Sequence, residues 1–177
     1  MAISVDMPAE PLSLARMRAA NTAELTHSRT DLSNSIDRFS RLFSSMAERD
    51  GKLLLADKTD NLWVRMDTQD IEEILGNLLD NALKWSKKTV QMTAAKAKDG
   101  IVISIEDDGP GIPEQDLPRI WERLYRGDQS RSERGLGLGL SFVKAIAEAH
   151  GGPAVVVSRP DEGAQFELRV PVARTGS

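Results

Sequence analysis

The chain is predicted to fold as an α/β two-layer sandwich, in which a mixed, largely antiparallel sheet is covered on one face by about three helices. Three observations carry that expectation. Strand-like and helix-like segments follow one another in mixed order, at least one strand pair is joined by a tight Asp-Gly turn, and the clearest helix shows a single apolar stripe. A length of 177 residues suits one domain with a full core and a short appended element.

Residues 1 to 11 contain two prolines without periodicity and are expected to form an unstructured lead-in. Small and apolar residues between Leu12 and Leu25 make a faint helical pattern. Asp31 suits the N-cap of a helix whose apolar positions Leu32, Ile36, Phe39, Leu42, Phe43 and Met46 recur every three or four residues until Asp50-Gly51. Lys52 to Ala56 and Leu62 to Met66 are expected to be short strands with a polar turn between them. From Thr68 to Ser86 the residues Ile71, Ile74, Leu75, Leu78, Leu79, Ala82 and Leu83 form one stripe, the clearest helical pattern of the chain.

Thr89 to Lys96 and Ile101 to Asp107 alternate as antiparallel strands around Lys98-Asp99-Gly100. Gln115 to Tyr125 is predicted to be helical, Arg126 to Arg134 to be a charged loop, and Leu138 to Ala149 to be a helix closed by Gly151-Gly152. Strands at Ala154 to Ser158 and Ala164 to Val170 complete the fold.

The 23 basic and 27 acidic residues leave a net charge of -4, so no sequence-independent affinity for nucleic acid or anionic lipid is expected. No stretch approaches the ~20 apolar residues of a membrane span, and no signal peptide is visible. The absence of cysteine excludes disulfides and thiolate metal sites and fits a cytoplasmic protein.

Three constellations carry chemistry. Strand alternation puts Ile101, Ile103, Ile105 and Asp107 on the apolar side of one strand, which runs into Asp108-Gly109-Pro110-Gly111-Ile112. A carboxylate facing a core needs donors, and the glycines leave room for a flat ligand; an exocyclic amine such as that of adenine fits, and a turn-capping acid is the alternative. The polar face of the 68–86 helix carries Glu73, Asn77, Asp80, Asn81 and Lys84. Amide oxygens suit Mg²⁺ and Lys84 suits phosphate, although the same residues would also make a solvated helix face. Gly135-Leu136-Gly137-Leu138-Gly139 leads into a helix with Arg126, Arg131 and Arg134 nearby, either a phosphate cradle or a flexible hinge.

In their order along the chain these motifs resemble the N, G1 and G2 boxes of the ATP-binding domain of sensor histidine kinases, in the GHKL or Bergerat superfamily. Ile120-Trp121-Glu122-Arg123-Leu124-Tyr125-Arg126 is similar to the intervening F box. The likeness runs from about Asp31 to Val172. It implies a Bergerat fold with ATP and Mg²⁺ as cofactors. Asp107 would take the adenine amine and Asn81 the metal, while Asn77 and Lys84 would contact the polyphosphate. Trp85, Ile112 and Tyr125 would lie beside the nucleotide. Gly109, Gly111, Gly135, Leu136, Gly137, Leu138 and Gly139 would shape the pocket and its lid, with Arg126 and Arg131 reaching phosphate. Asn77, Lys84 and Arg131 would be the catalytic residues.

Superfamily members that hydrolyse ATP or phosphorylate serine carry a glutamate base four residues before the metal-binding asparagine; here that position is Asn77. An amide cannot take a proton near neutral pH, so transfer to a histidine, which brings its own nucleophilic nitrogen, is favoured over a same-fold ATPase or serine kinase. A non-catalytic regulatory module is a further alternative. The phosphoacceptor box of such kinases is missing: His27 lacks an adjacent acid, and His150 suits a helix C-terminus. The expected organisation is therefore a lead-in and hairpin remnant over 1–30, a catalytic domain over 31–172 and a tail over 173–177. The chain would be a monomer in isolation, with a histidine-bearing helical hairpin, in cis or in trans, as its partner and a response regulator further along.

Overall fold

A computed structural model of the protein describes residues 28–126 and 139–173. The chain enters through β1 (Arg29–Asp31), α1 (Leu32–Arg49), β2 (Leu53–Lys58), β3 (Trp63–Arg65) and α2 (Thr68–Trp85). It continues through β4 (Thr89–Ala97), β5 (Gly100–Asp107), α3 (Gly139–Ala149), β6 (Ala154–Ser158) and β7 (Ala164–Val170). Five strands form the main sheet in the order β2-β4-β5-β7-β6. The β2–β4 pair is parallel and the other three pairs are antiparallel, which gives the mixed, largely antiparallel sheet expected.

Helix starts follow local chemistry. Asp31 stands in extended conformation, and its carboxylate accepts from the Ser33 N–H at 2.9 Å, so the side chain satisfies an amide that has no partner within the helix. The apolar stripe of α2 is buried as its spacing requires, from Ile71 to Leu83. Helix α3 ends at Ala149 and is closed by Gly151, whose φ of +73° is open to glycine, and Gly152 N–H returns to the Ala147 carbonyl at 3.0 Å.

The core lies between the helices and one sheet face. Met92, Ile105, Phe166 and Val156 follow one another across the strands in a single register row, the first three buried and Val156 packed against them. The alternate row, with Gln91 and Glu106, is exposed. Register therefore decides which side chains reach the helices.

Four features depart from the sequence expectation. Arg29–Asp31 forms a strand against β3 in a separate two-stranded sheet, which Val172 extends by a bridge to Val64. Leu42, expected in the α1 stripe, is 55% exposed. The helix predicted over Gln115 to Tyr125 is a run of turns. Pro118 has no N–H to continue a helical ladder, bonds such as Arg119 N–H to Asp116 O span three residues, and Leu124 takes a φ of +61°. Finally, β2 and β3, adjacent in sequence, belong to different sheets. The 12–25 helix falls outside the described residues.

Candidate active site

The site builds up from the end of β5. Asp107 belongs to the helix-facing row of that strand and is 5% exposed, beyond Ile101, Ile103 and Ile105 on the same face. Burial pushes its carboxyl above the ordinary range; the Gly109 and Ala164 N–H groups pull it back, and the neighbouring Asp108 and Glu106 charges push with burial. Gly109 donates to Asp107 Oδ1 at 2.8 Å. The carboxylate thus has backbone donors of its own, where the sequence had suggested that a ligand must supply the donor.

The loop after β5 is clamped on the side of α2. Asp108 accepts from the Lys87 N–H at 2.8 Å and the Lys88 N–H at 3.0 Å. Burial acts upward on this carboxyl, but the N–H groups of Lys88, Thr89 and Lys87 outweigh it and hold it below the usual range. Gly109 then passes so close to the end of α2 that a Cβ would lie 2.4 Å from the Trp85 carbonyl oxygen and 2.7 Å from Asp107 Oδ1. Only a bare backbone fits there. Gly111 adopts a φ of +77°, and Ile112 packs its side chain against the core.

Asn77, Asn81, Lys84 and Trp85 lie along the C-terminal half of α2; the first three share one face by their spacing, and the Lys84 ammonium stands 5.3 Å from the Trp85 ring centroid. The Asn77 amide donates to the Glu73 carbonyl at 2.8 Å. Its oxygen faces Gly139, the first residue of α3, where a Cβ would lie only 2.8 Å away. Two motifs separated by about sixty residues of sequence therefore meet, and they meet at a helix N-terminus with its partial positive charge. For Asn81 and Lys84 the assignment to the site rests on this shared helix face.

Tyr125 donates to Asp116 Oδ1 at 2.6 Å and lies under the Arg119 guanidinium at 4.3 Å, while Trp121 packs edge-on against Phe166 at 5.8 Å. The aromatic residues of this segment anchor it to itself and to the core. Arg126 ends the described stretch; Arg131, Gly135, Leu136, Gly137 and Leu138 lie outside the described residues. His150, only 3% exposed at its side chain, sits 2.9 Å from Asp70 Oδ2 and ties the end of α3, where its sequence context put it, to the first turn of α2.

Sequence reasoning passed over the turn between β6 and β7. Gly163, at φ +80°, comes so close that a Cβ would lie 1.9 Å from the Asp107 carbonyl oxygen. Ser158 Oγ accepts from the Ile112 N–H at 2.8 Å and donates to the Gly163 carbonyl at 2.6 Å. Pro160-Asp161-Glu162-Gly163 is a recognisable turn, but nothing in the sequence puts it against Asp107.

A buried strand-end carboxylate, a glycine loop beside it and an amide-bearing helix face meeting a second helix N-terminus stand on an α/β sandwich whose fold is that of histidine kinase catalytic domains. The solved mycobacterial sensor histidine kinase MprB is similar over 82% of this chain and 97% of its own, with a TM-score of 0.70 and 30% identity. Full-length ShkA, solved in complex with AMPPNP, is similar over 93% of this chain and 35% of its own, with a TM-score of 0.79 and 25% identity. The family model for histidine kinase-, DNA gyrase B- and HSP90-like ATPases matches residues 66–174, and the chain belongs to that family. Sensor histidine kinase YkoH of Bacillus subtilis is 39% identical over 127 residues, 71% of this chain, and this chain spans 28% of YkoH. Among the described residues, no helix is long and apolar enough to cross a membrane.

Proposed function

We propose that the chain binds ATP with Mg²⁺ and transfers the γ-phosphoryl group to a histidine carried by a separate helical hairpin, in cis or in trans. The observation that carries this is Asp107: a carboxylate buried among aliphatic side chains, beside a backbone kept bare by Gly109. It suits an amino group at the edge of a purine, and a carbonyl at that position would be repelled. The α3 N-terminus would supply backbone N–H groups for the polyphosphate end and the Asn77 Nδ2 group a further N–H donor, with Lys84 as counter-charge, and Asn81 would be the metal ligand. Mg²⁺, when bound, supplies neutralisation of phosphate charge.

In the transfer, the lone pair of an imidazole nitrogen attacks the γ-phosphorus, the bond to the β–γ bridging oxygen breaks, and ADP leaves with that electron pair. No proton need be removed by the protein, which is consistent with Asn77 standing where a base would otherwise be needed. The protein contributes positioning and electrostatics.

Titration calorimetry of ATP with and without Mg²⁺, on the wild type and on Asp107→Asn, tests the binding step; a loss of about a hundredfold is expected for the variant. Mixing the chain with a histidine-bearing hairpin and γ-labelled ATP tests the transfer. Acid-labile label on the hairpin is expected; steady phosphate release without it would refute the assignment.

A further inference from the structure

The register of the main sheet puts Val90, Asp107, Ala164 and Ser158 in one row, so Ser158 stands two strands from the buried carboxylate and on the same face. Between them lies the β6–β7 turn, which meets the 109–112 loop repeatedly. The Asp161 N–H donates to the Pro110 carbonyl at 2.7 Å. A Cβ on Gly111 would lie 2.1 Å from the Arg159 carbonyl oxygen, and the Ala164 N–H is among the groups that pull on the Asp107 carboxyl. One side chain bridges both segments: the Ser158 hydroxyl takes the Ile112 N–H and gives its proton to the Gly163 carbonyl.

We propose that Ser158 is a positioning residue for base recognition, its hydroxyl locking the 109–112 loop to the β6–β7 turn so that the Asp107 carboxylate and the bare backbone beside it are held ready for an adenine edge. This rests on the assignment of Asp107 to nucleotide binding. A glycine-containing loop has many conformations open to it, and ordering it on binding would subtract from affinity. Ser158 fixes the loop beforehand without touching the ligand. Its removal leaves the Ile112 N–H and the Gly163 carbonyl without this partner, and the effect should fall on the base end of the site.

The full chain and its Ser158→Ala, Ser158→Thr and Asp107→Asn variants would be titrated with ATP·Mg²⁺, GTP·Mg²⁺, adenosine and tripolyphosphate·Mg²⁺. Ser158→Ala should weaken ATP and adenosine by the same factor, about tenfold, leave tripolyphosphate unchanged and narrow the preference for ATP over GTP. Ser158→Thr, which keeps the hydroxyl, should restore wild-type values. Unchanged adenosine affinity in Ser158→Ala beside a defective Asp107→Asn would overturn the positioning role and leave the nucleotide assignment standing. An Asp107→Asn variant that binds like wild type would remove both. Equal weakening of tripolyphosphate, or a Thr variant as poor as the Ala variant, would reduce Ser158 to a general structural residue. Should Ser158→Ala not fold, amide exchange at Ile112 in the wild type decides: slow exchange, slowed further by adenosine, supports the lock, and fast exchange overturns it.

Discussion

Gly139→Ala separates the integrity of the fold from that of the site. The added methyl would stand 2.8 Å from Asn77 Oδ1 and 3.4 Å from Asn77 Cγ, which puts the oxygen about half an ångström inside ordinary contact. The neighbour is the end of a rotatable side chain, so the amide moves and the backbone need not. Moving it breaks the 2.8 Å bond from Asn77 Nδ2 to the Glu73 carbonyl, a loss of about 1 kcal/mol. Alanine in place of glycine at a helix start offsets part of that, by up to about 1 kcal/mol. Stability should therefore change little, with a melting temperature within a few degrees of wild type. Binding should not be spared: an amide displaced from a charged phosphate forfeits roughly 1.5–3 kcal/mol, a ten- to hundredfold loss for ATP·Mg²⁺. Adenosine, which lacks the phosphates, should bind as before. Calorimetry with both ligands and a thermal melt make the comparison. Wild-type affinity for ATP·Mg²⁺, or an equal loss for adenosine, would refute the placement of Asn77 at the polyphosphate end.

The two adjacent carboxylates should give pH dependences of opposite sign. Burial raises the Asp107 carboxyl, so ATP affinity should fall as pH drops through that raised value, earlier than an ordinary carboxylate would allow; calorimetry across pH should find this dependence gone in Asp107→Asn. In the unliganded protein the same shift makes Asp107 stabilising below its unfolded value, a contribution lost as pH rises through the folded one, whereas Asp108, held low by backbone N–H groups, contributes stability above its unfolded value that is lost as pH falls through its depressed one. Urea denaturation of Asp107→Asn and Asp108→Asn across the acidic range should show slopes altered in opposite directions. Replacing His150 by alanine removes the buried contact to Asp70 at 2.9 Å and should lower stability by about 2–3 kcal/mol, measured by urea denaturation, while label still passes to an external hairpin; loss of transfer in a folded variant would give His150 a chemical role.

Much of the candidate site's placement was legible because its signals are local. Asp107 announced itself through strand alternation, and Asn77, Asn81 and Lys84 through the 3.6-residue repeat of α2, since each periodicity follows from backbone geometry alone. The run from Gln115 to Tyr125 misled for the same reason: its composition suits a helix, but Pro118 and the left-handed Leu124 interrupt the ladder, and Trp121 is held by Phe166 from a distant strand. Ser158, Gly163 and Ala164 carried no signal, because their relation to Asp107 exists only once β7 pairs with β5.

Amino-acid order by itself determined the α/β sandwich, the inward direction of Asp107, the polar face of α2 and the glycines that leave backbone bare. These follow from interactions between residues a few positions apart. Tertiary structure decided that Asn77 meets Gly139, that the Asp107 carboxylate receives backbone donors of its own, and that Ser158 joins two loops behind it. The long-range members of that set, Asn77 with Gly139, Asp107 with the Ala164 N–H and Ser158 with the Ile112 N–H, link residues about forty-five to sixty positions apart, and the pairing register and packing that create them come from burial of the whole core, which no short stretch encodes.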